Sequence, residues 1–101
     1  MVRGGYIYIV CNSRNTTLYT GVTSDLLTSI SEHKEKTDRN SFSARYNCNK
    51  LVYYESFENI EAAIEREKEI KGRSRKYKLD LIIQQNPMFS DLYDLLLKEW
   101  S

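Results

Sequence analysis

A chain of 101 residues, 41% hydrophobic and 29% charged, has the size and composition of one globular domain, which excludes a second core and a disordered chain. Fifteen Lys and Arg against fourteen Asp and Glu leave a net charge of +1, so attraction for a polyanion must come from local clustering of charge. No apolar run approaches the roughly 18 residues of a membrane span.

The chain opens with Tyr6-Ile7-Tyr8-Ile9-Val10-Cys11, aromatic and β-branched, which predicts a strand. Turn residues Asn12 to Thr16 separate it from a second strand, Thr17 to Val22, and a loop of about five residues predicts an antiparallel hairpin. Ser24 or Asp25 caps a helix reaching about Lys36, with Leu26, Leu27, Ile30 and His33 on one face. The pattern stops between Thr37 and Asn49, which reads as a loop. Leu51 to Phe57 is a third strand. A helix follows from Asn59 to Gly72, and another capped by Ser74 runs to Gln85 with Leu79, Ile82 and Ile83 inward. Pro87 ends that region, and Ser90 opens a last helix with Tyr93, Leu96, Leu97 and Trp100 on one face. The order β-β-α-β-α-α-α predicts an α+β fold, a small, mainly antiparallel three-stranded sheet flanked by helices.

Several chemistries lack their residues. A single histidine and two cysteines outside any CxxC pair give no usual Cys/His zinc site. There is no nucleophile elbow, and neither GxGxxG nor GxxxxGK[ST] is present to cradle a phosphate. No small-residue cleavage signal follows the first apolar stretch, and the expectation is a reduced, cytoplasmic protein.

Other residues look out of place. Glu67 shares a helical stripe with Ile60, Ala63, Ile64 and Ile70, although Glu58, Glu61, Glu65 and Glu69 already serve the wet side. A buried carboxylate needs a cation, a metal or a raised pKa; an edge position or an ion pair with a core arginine is the ordinary alternative. His33 lies in the corresponding stripe of the first helix, as a structural group or a functional one. Tyr8 and Tyr19 sit on two strands expected to pair, so their hydroxyls can converge, or the rings simply pack. Gly21 either permits a close approach or marks a bend. Lys71, Arg73, Arg75, Lys76 and Lys78 form the densest basic run, and Arg45 lies beside Tyr46. These six are the candidate DNA-binding residues, against the alternative of a solvated face balanced by the acidic helix.

Together these residues resemble the GIY-YIG nuclease family, in particular its small stand-alone bacterial members. Tyr6-Ile7-Tyr8 is similar to the first motif, with Tyr6 in place of glycine, and Tyr19-Thr20-Gly21 to the second, with Thr20 in place of an aliphatic residue. Val22 to Leu26 and Ile30 to Lys34 resemble the first helix of the family. Arg45-Tyr46-Asn47, Leu51 to Glu55, Ala63 to Lys68, Ile70-Lys71-Gly72 and Asn86-Pro87 extend the resemblance over about residues 5–90. It implies a nuclease domain over residues 1–90, with residues 91–101 as a C-terminal helix packed on it or forming a dimer contact.

The resemblance also implies roles. Tyr8 or Tyr19 would be the general base for an attacking water, and Glu67 would hold one divalent cation, Mg²⁺ or Mn²⁺. Asn86 would lie near metal and phosphate, and His33 would orient the tyrosine or the water, beside a structural Gly21. The implied partner is DNA, ordinary, branched or otherwise structured, and the protein a monomer or weak homodimer. At the first-helix position where the family carries an arginine this chain has Ser29, with Thr28 beside it, and neither supplies positive charge. Lys34 and Arg45 are the candidate replacements. Two classes of function therefore stand side by side: a metal-dependent endonuclease, and a catalytically silent nucleic-acid-binding module of the same fold.

Overall fold

The computed structural model describes residues 4–36 and 39–100. Three strands, β1 (Gly5–Cys11), β2 (Leu18–Thr23) and β3 (Lys50–Phe57), form a fully antiparallel sheet in the order β2-β1-β3. The helices are α1 (Leu26–Glu35), α2 (Phe42–Arg45), α3 (Ile60–Lys71), α4 (Arg75–Gln85) and α5 (Tyr93–Trp100). The α+β class and the three-stranded sheet are as the sequence predicts.

The middle strand explains the two-sided core. Every residue of β1 is buried, because both faces of the sheet are covered, so the strand is apolar throughout rather than alternating. Tyr6, Tyr8 and Val10 project to one face and pack with Leu26, Ile30, Cys48, Leu51 and Leu96. Ile7, Ile9 and Cys11 project to the other and meet Val52, Tyr53, Ala63, Ile70 and Ile82. α1 and α5 therefore cover the Tyr8 face, and α3 and α4 the opposite one.

Local chemistry sets the boundaries. The Asn12 side chain accepts the backbone N–H groups of Thr16 and Thr17 at 2.8 and 3.1 Å and closes the β1–β2 loop. Asp25, Asn59 and Ser74 cap α1, α3 and α4 through their side chains. α1 stops at Lys36, which adopts a left-handed conformation with φ 54°. Arg66 joins α3 to β3 by two bonds of 3.0 Å to the Glu55 carboxylate, and also reaches Glu69 and Tyr77. The core arginine thus pairs with Glu55 and leaves Glu67 to other partners.

Three expectations are corrected. The segment from Thr37 to Asn49 is not all loop: residues 37 and 38 lie outside the described residues, but Ser41 caps α2, accepting from the Ala44 N–H at 3.3 Å. Four helical residues are too few to show a period. Ile83 is exposed, because Tyr77, Leu81 and Ile82 make the contact with the sheet and the next position round the helix turns to solvent. In α5 only Leu96 is buried, with Tyr93 and Trp100 packed against the same cluster, while Leu95 and Leu97 face outward. The helix packs back on the domain: the Trp100 ring lies 5.7 Å from that of Tyr6 and 5.9 Å from that of Tyr54.

Candidate active site

The antiparallel register places Tyr8 opposite Gly21, and Val10 opposite Tyr19, on the face covered by α1. A side chain at Gly21 would stand 2.4 Å from both Cζ and the hydroxyl oxygen of Tyr8. The glycine therefore provides a close approach rather than a bend: the phenol lies across the edge strand where no side chain intervenes. Its hydroxyl is 2.8 Å from His33 Nε2, and His33 Nδ1 is 2.7 Å from the hydroxyl of Ser43. Ser43 is only 3% exposed, so α2 delivers a buried hydroxyl to the back of the imidazole. The Tyr19 ring packs beside the same imidazole, with centroids 5.5 Å apart.

These groups line a cleft of about 270 Å³, with Ser29, Glu32 and Lys36 of the α1 region on one side and Ser41 and Ser43 on the other. Electrostatics keeps the pair neutral. Burial raises the Tyr8 phenol far above its ordinary value, and the neighbouring Tyr19, Glu67 and Glu32 act in the same direction. Burial lowers the His33 pKa, with Glu32 opposing the shift. At neutral pH the resting pair is a phenol and an uncharged imidazole.

Glu67, on α3, is not among the residues that line the cleft, but its charge acts on the Tyr8 phenol. Its side chain is 16% exposed and one carboxylate oxygen takes an ion pair with Lys71 at 3.2 Å; the Lys71 ammonium in turn lies 6.0 Å from the Tyr19 ring centre. The other oxygen has no hydrogen-bond partner among the described residues. Among those residues there is no cluster of three His, Cys, Asp or Glu that could cage a metal. A hydrated Mg²⁺ needs less, since it is commonly held by one or two carboxylates and completed by substrate phosphate oxygens. Glu67 offers one carboxylate oxygen towards such an ion, the other being paired with Lys71.

The structure does not bring every predicted residue to the cleft. Asn86 is buried at the end of α4, where its amide nitrogen donates to Val52 O at 3.1 Å and Ser90 O at 2.7 Å while its oxygen accepts from Ser90 N–H. Those bonds fix the turn into α5. Ser29 lines the cleft, its hydroxyl 2.6 Å from that of Thr23. Lys34 does not replace the arginine: it pairs with Asp91 and donates to Asn49 O, tying α1 to the start of α5. Most of the basic run is also engaged. Arg73 covers the Tyr77 ring at 4.1 Å, Arg75 donates to Thr16 O at 2.9 Å, and Lys76 pairs with Asp80. Lys78 is half-buried on α4, and Arg45 is exposed on α2 beside the cleft.

Sequence reasoning missed Ser43 and Phe42, and named Tyr46 only as the neighbour of Arg45. Nothing in the local pattern marks Ser43, whose partner is ten residues away on another helix. Phe42 and Tyr46 did leave a signal, two aromatics one helical turn apart in a polar segment behind a capping serine.

The fold and the cleft define a small α+β domain that sets a tyrosine–histidine pair in a cleft lined by Glu32, with Glu67 near enough to act on the phenol. The family model of the GIY-YIG catalytic domain matches residues 4–80, and the chain belongs to that family. It is 40% identical over 81 residues to UPF0213 protein CPE1444 of Clostridium perfringens, covering 76% of this chain and 81% of that one. A UPF0213 protein of Syntrophus aciditrophicus is 36% identical over 87 residues, covering 81% and 92%. A third, SSP2268 of Staphylococcus saprophyticus, is 40% identical over 81 residues, covering 76% and 92%. No solved structure matches the chain.

Proposed function

We propose that this chain is a divalent-metal-dependent endonuclease acting on DNA, with residues 1–90 as its nuclease domain and α5 as a cover on the same core. The observation that carries the reading is the line of groups Tyr8–His33–Ser43, with the Glu67 charge acting on Tyr8. Hydrolysis requires a proton to leave the attacking water as its oxygen bonds to phosphorus and the 3′ oxygen departs. Tyr8 takes that proton on its hydroxyl oxygen while its own passes to His33 Nε2, and Ser43 accepts a bond from Nδ1–H of the imidazolium that forms. Tyr8 is thus a relay and His33 the proton acceptor. That division suits a phenol whose surroundings oppose ionisation. Glu67 would hold the Mg²⁺ or Mn²⁺, which supplies positive charge to the scissile phosphate and the leaving oxygen. Tyr19 shapes the cleft wall, and Lys71 steadies the Glu67 carboxylate.

The second reading, a silent binding module, is favoured by Ser29, which leaves that wall of the cleft without a guanidinium. Cleavage of labelled branched and linear DNA with Mg²⁺ or Mn²⁺, beside a Glu67→Ala control, separates the two. The nuclease reading expects cutting that disappears in the control. No cutting, with salt-sensitive binding retained, would replace it by the binding module.

A further inference from the structure

We propose that Phe42 and Tyr46 form a stacking ledge for an unpaired base of single-stranded DNA, next to the cleft. Six large apolar side chains are exposed among the described residues, and the only aromatic ones are these two, each 48% exposed. The other four, Ile83, Met88, Leu95 and Leu97, are aliphatic and lie in α4, in α5 or between them. A shared function at the cleft accounts for the aromatic pair better than scatter does.

The geometry is that of a continuous aromatic cluster, with Phe42 near-parallel to Tyr19 and tilted by 38° from Tyr46. Phe42 and Tyr46 lie one turn apart across α2, their ring centroids 4.7 Å from each other. The Phe42 ring is 6.1 Å from Tyr19 with only 25° between the planes, and Tyr19 packs against His33 inside the cleft. The aromatic surface therefore runs without a break from the imidazole to solvent. Arg45, between the two rings in sequence, is exposed and without a partner among the described residues, so a cation is available next to the ledge for a nucleotide backbone. An aromatic face in water, a neighbouring cation and a contiguous phosphate site are the elements of single-strand recognition.

The occupant follows from stacking itself. A base inside a duplex already has neighbours on both faces and cannot cover an outside ring. A base in a single strand, a flap or a junction has a face to give. The ledge would thus favour unpaired DNA and hold the adjoining phosphate over the cleft. The inference rests on reading the cleft as a DNA site, and it is tested without cleavage.

The full chain in EDTA is titrated, by fluorescence anisotropy, into a labelled oligothymidylate and a labelled blunt duplex. Phe42→Ala and Tyr46→Ala should each weaken single-strand binding by about five- to 150-fold, the range for loss of one stacked base. Duplex binding should change by less than about twofold, and Phe42→Trp should keep parental affinity, as stacking requires. Unchanged far-ultraviolet circular dichroism would show each variant folded, as expected for half-exposed side chains. Single-strand binding that survives both substitutions, equal losses on the two ligands, or a parent that ignores oligothymidylate would overturn the ledge. The outcomes separate from those of the nuclease reading: a chain that cuts duplex with Phe42→Ala at full affinity has lost only the ledge. A chain that never cuts, yet needs both rings for single strands, has lost only the chemistry.

Discussion

Tyr8 has no freedom to choose its partner: Gly21 removes the one atom that would push its ring away, and His33 and the sheet hold the rest. Its phenol and the imidazole are both driven towards their neutral forms by burial. The sign of the pH response follows. The native His33 pKa lies below its unfolded value of about 6.5, so on acidification the unfolded chain takes up the proton first. The contribution of His33 to stability is complete above about pH 6.5 and is lost as pH falls through the lower native value. The same protonation removes the proton acceptor, so the cleavage rate should be flat from about pH 7 to 9 and fall on the acid side of 6.5. Melting temperatures of the parent and of His33→Gln across pH 5–8 should show an acid decline that the variant lacks. A rate rising tenfold per pH unit from 7 to 9 would instead identify a Tyr8 phenolate as the base.

At the level of elements, Asn86 is a polar residue that the fold holds by its own backbone groups. Its side chain makes three bonds that join the end of α4 to β3 and to Ser90. Asn86→Ala should cost about 1–3 kcal/mol for the buried groups left unpaired, lowering the melting temperature by about 4–8 °C per kcal/mol for a domain of this size. Cleavage per folded molecule, measured well below the transition, should stay near the parental value. A rate collapse at unchanged melting temperature would move Asn86 into the site. The same contrast describes what the sequence made legible. Strands announced themselves by β-branched and aromatic runs, helices by Asp25, Asn59 and Ser74 caps, and Glu67 by a carboxylate in an apolar stripe. Each of those signals lies within one element. Ser43 with His33 and Asn86 with Val52 are pairs whose meaning lies in a partner 10 or 34 residues away, and periodicity does not carry that information. α2 was hidden for a related reason, since four residues cannot display a 3.6-residue repeat.

Across the whole molecule, charge is nearly balanced at +1, and the fold uses many of its own cations. Lys34, Arg66 and Lys76 sit in ion pairs, Arg73 on a tyrosine ring, and Arg75 on loop carbonyls. Lys36 lines the cleft and Lys71 stands by the Tyr19 ring, but the wall at Ser29 offers a hydroxyl engaged with Thr23. A guanidinium there would add a planar pair of donors for a phosphate, a geometry that an ammonium does not reproduce. Ser29→Arg should therefore raise the DNA cleavage rate by roughly tenfold or more, a conservative figure beside the 10³–10⁵ an arginine can contribute to phosphoryl transfer. It should also steepen the salt dependence of binding by about 0.9 per added phosphate contact on duplex DNA, or about 0.7 on single strands. Ser29→Lys should match the change in salt slope and fall short in rate, which separates added charge from bidentate geometry. If Ser29→Arg activates a parent that does not cut, the scaffold is complete and the natural chain is the silent module. If it alters neither rate nor salt slope, the phosphate does not pass this wall of the cleft, and the site must draw its positive charge from the Lys36 or Lys71 side.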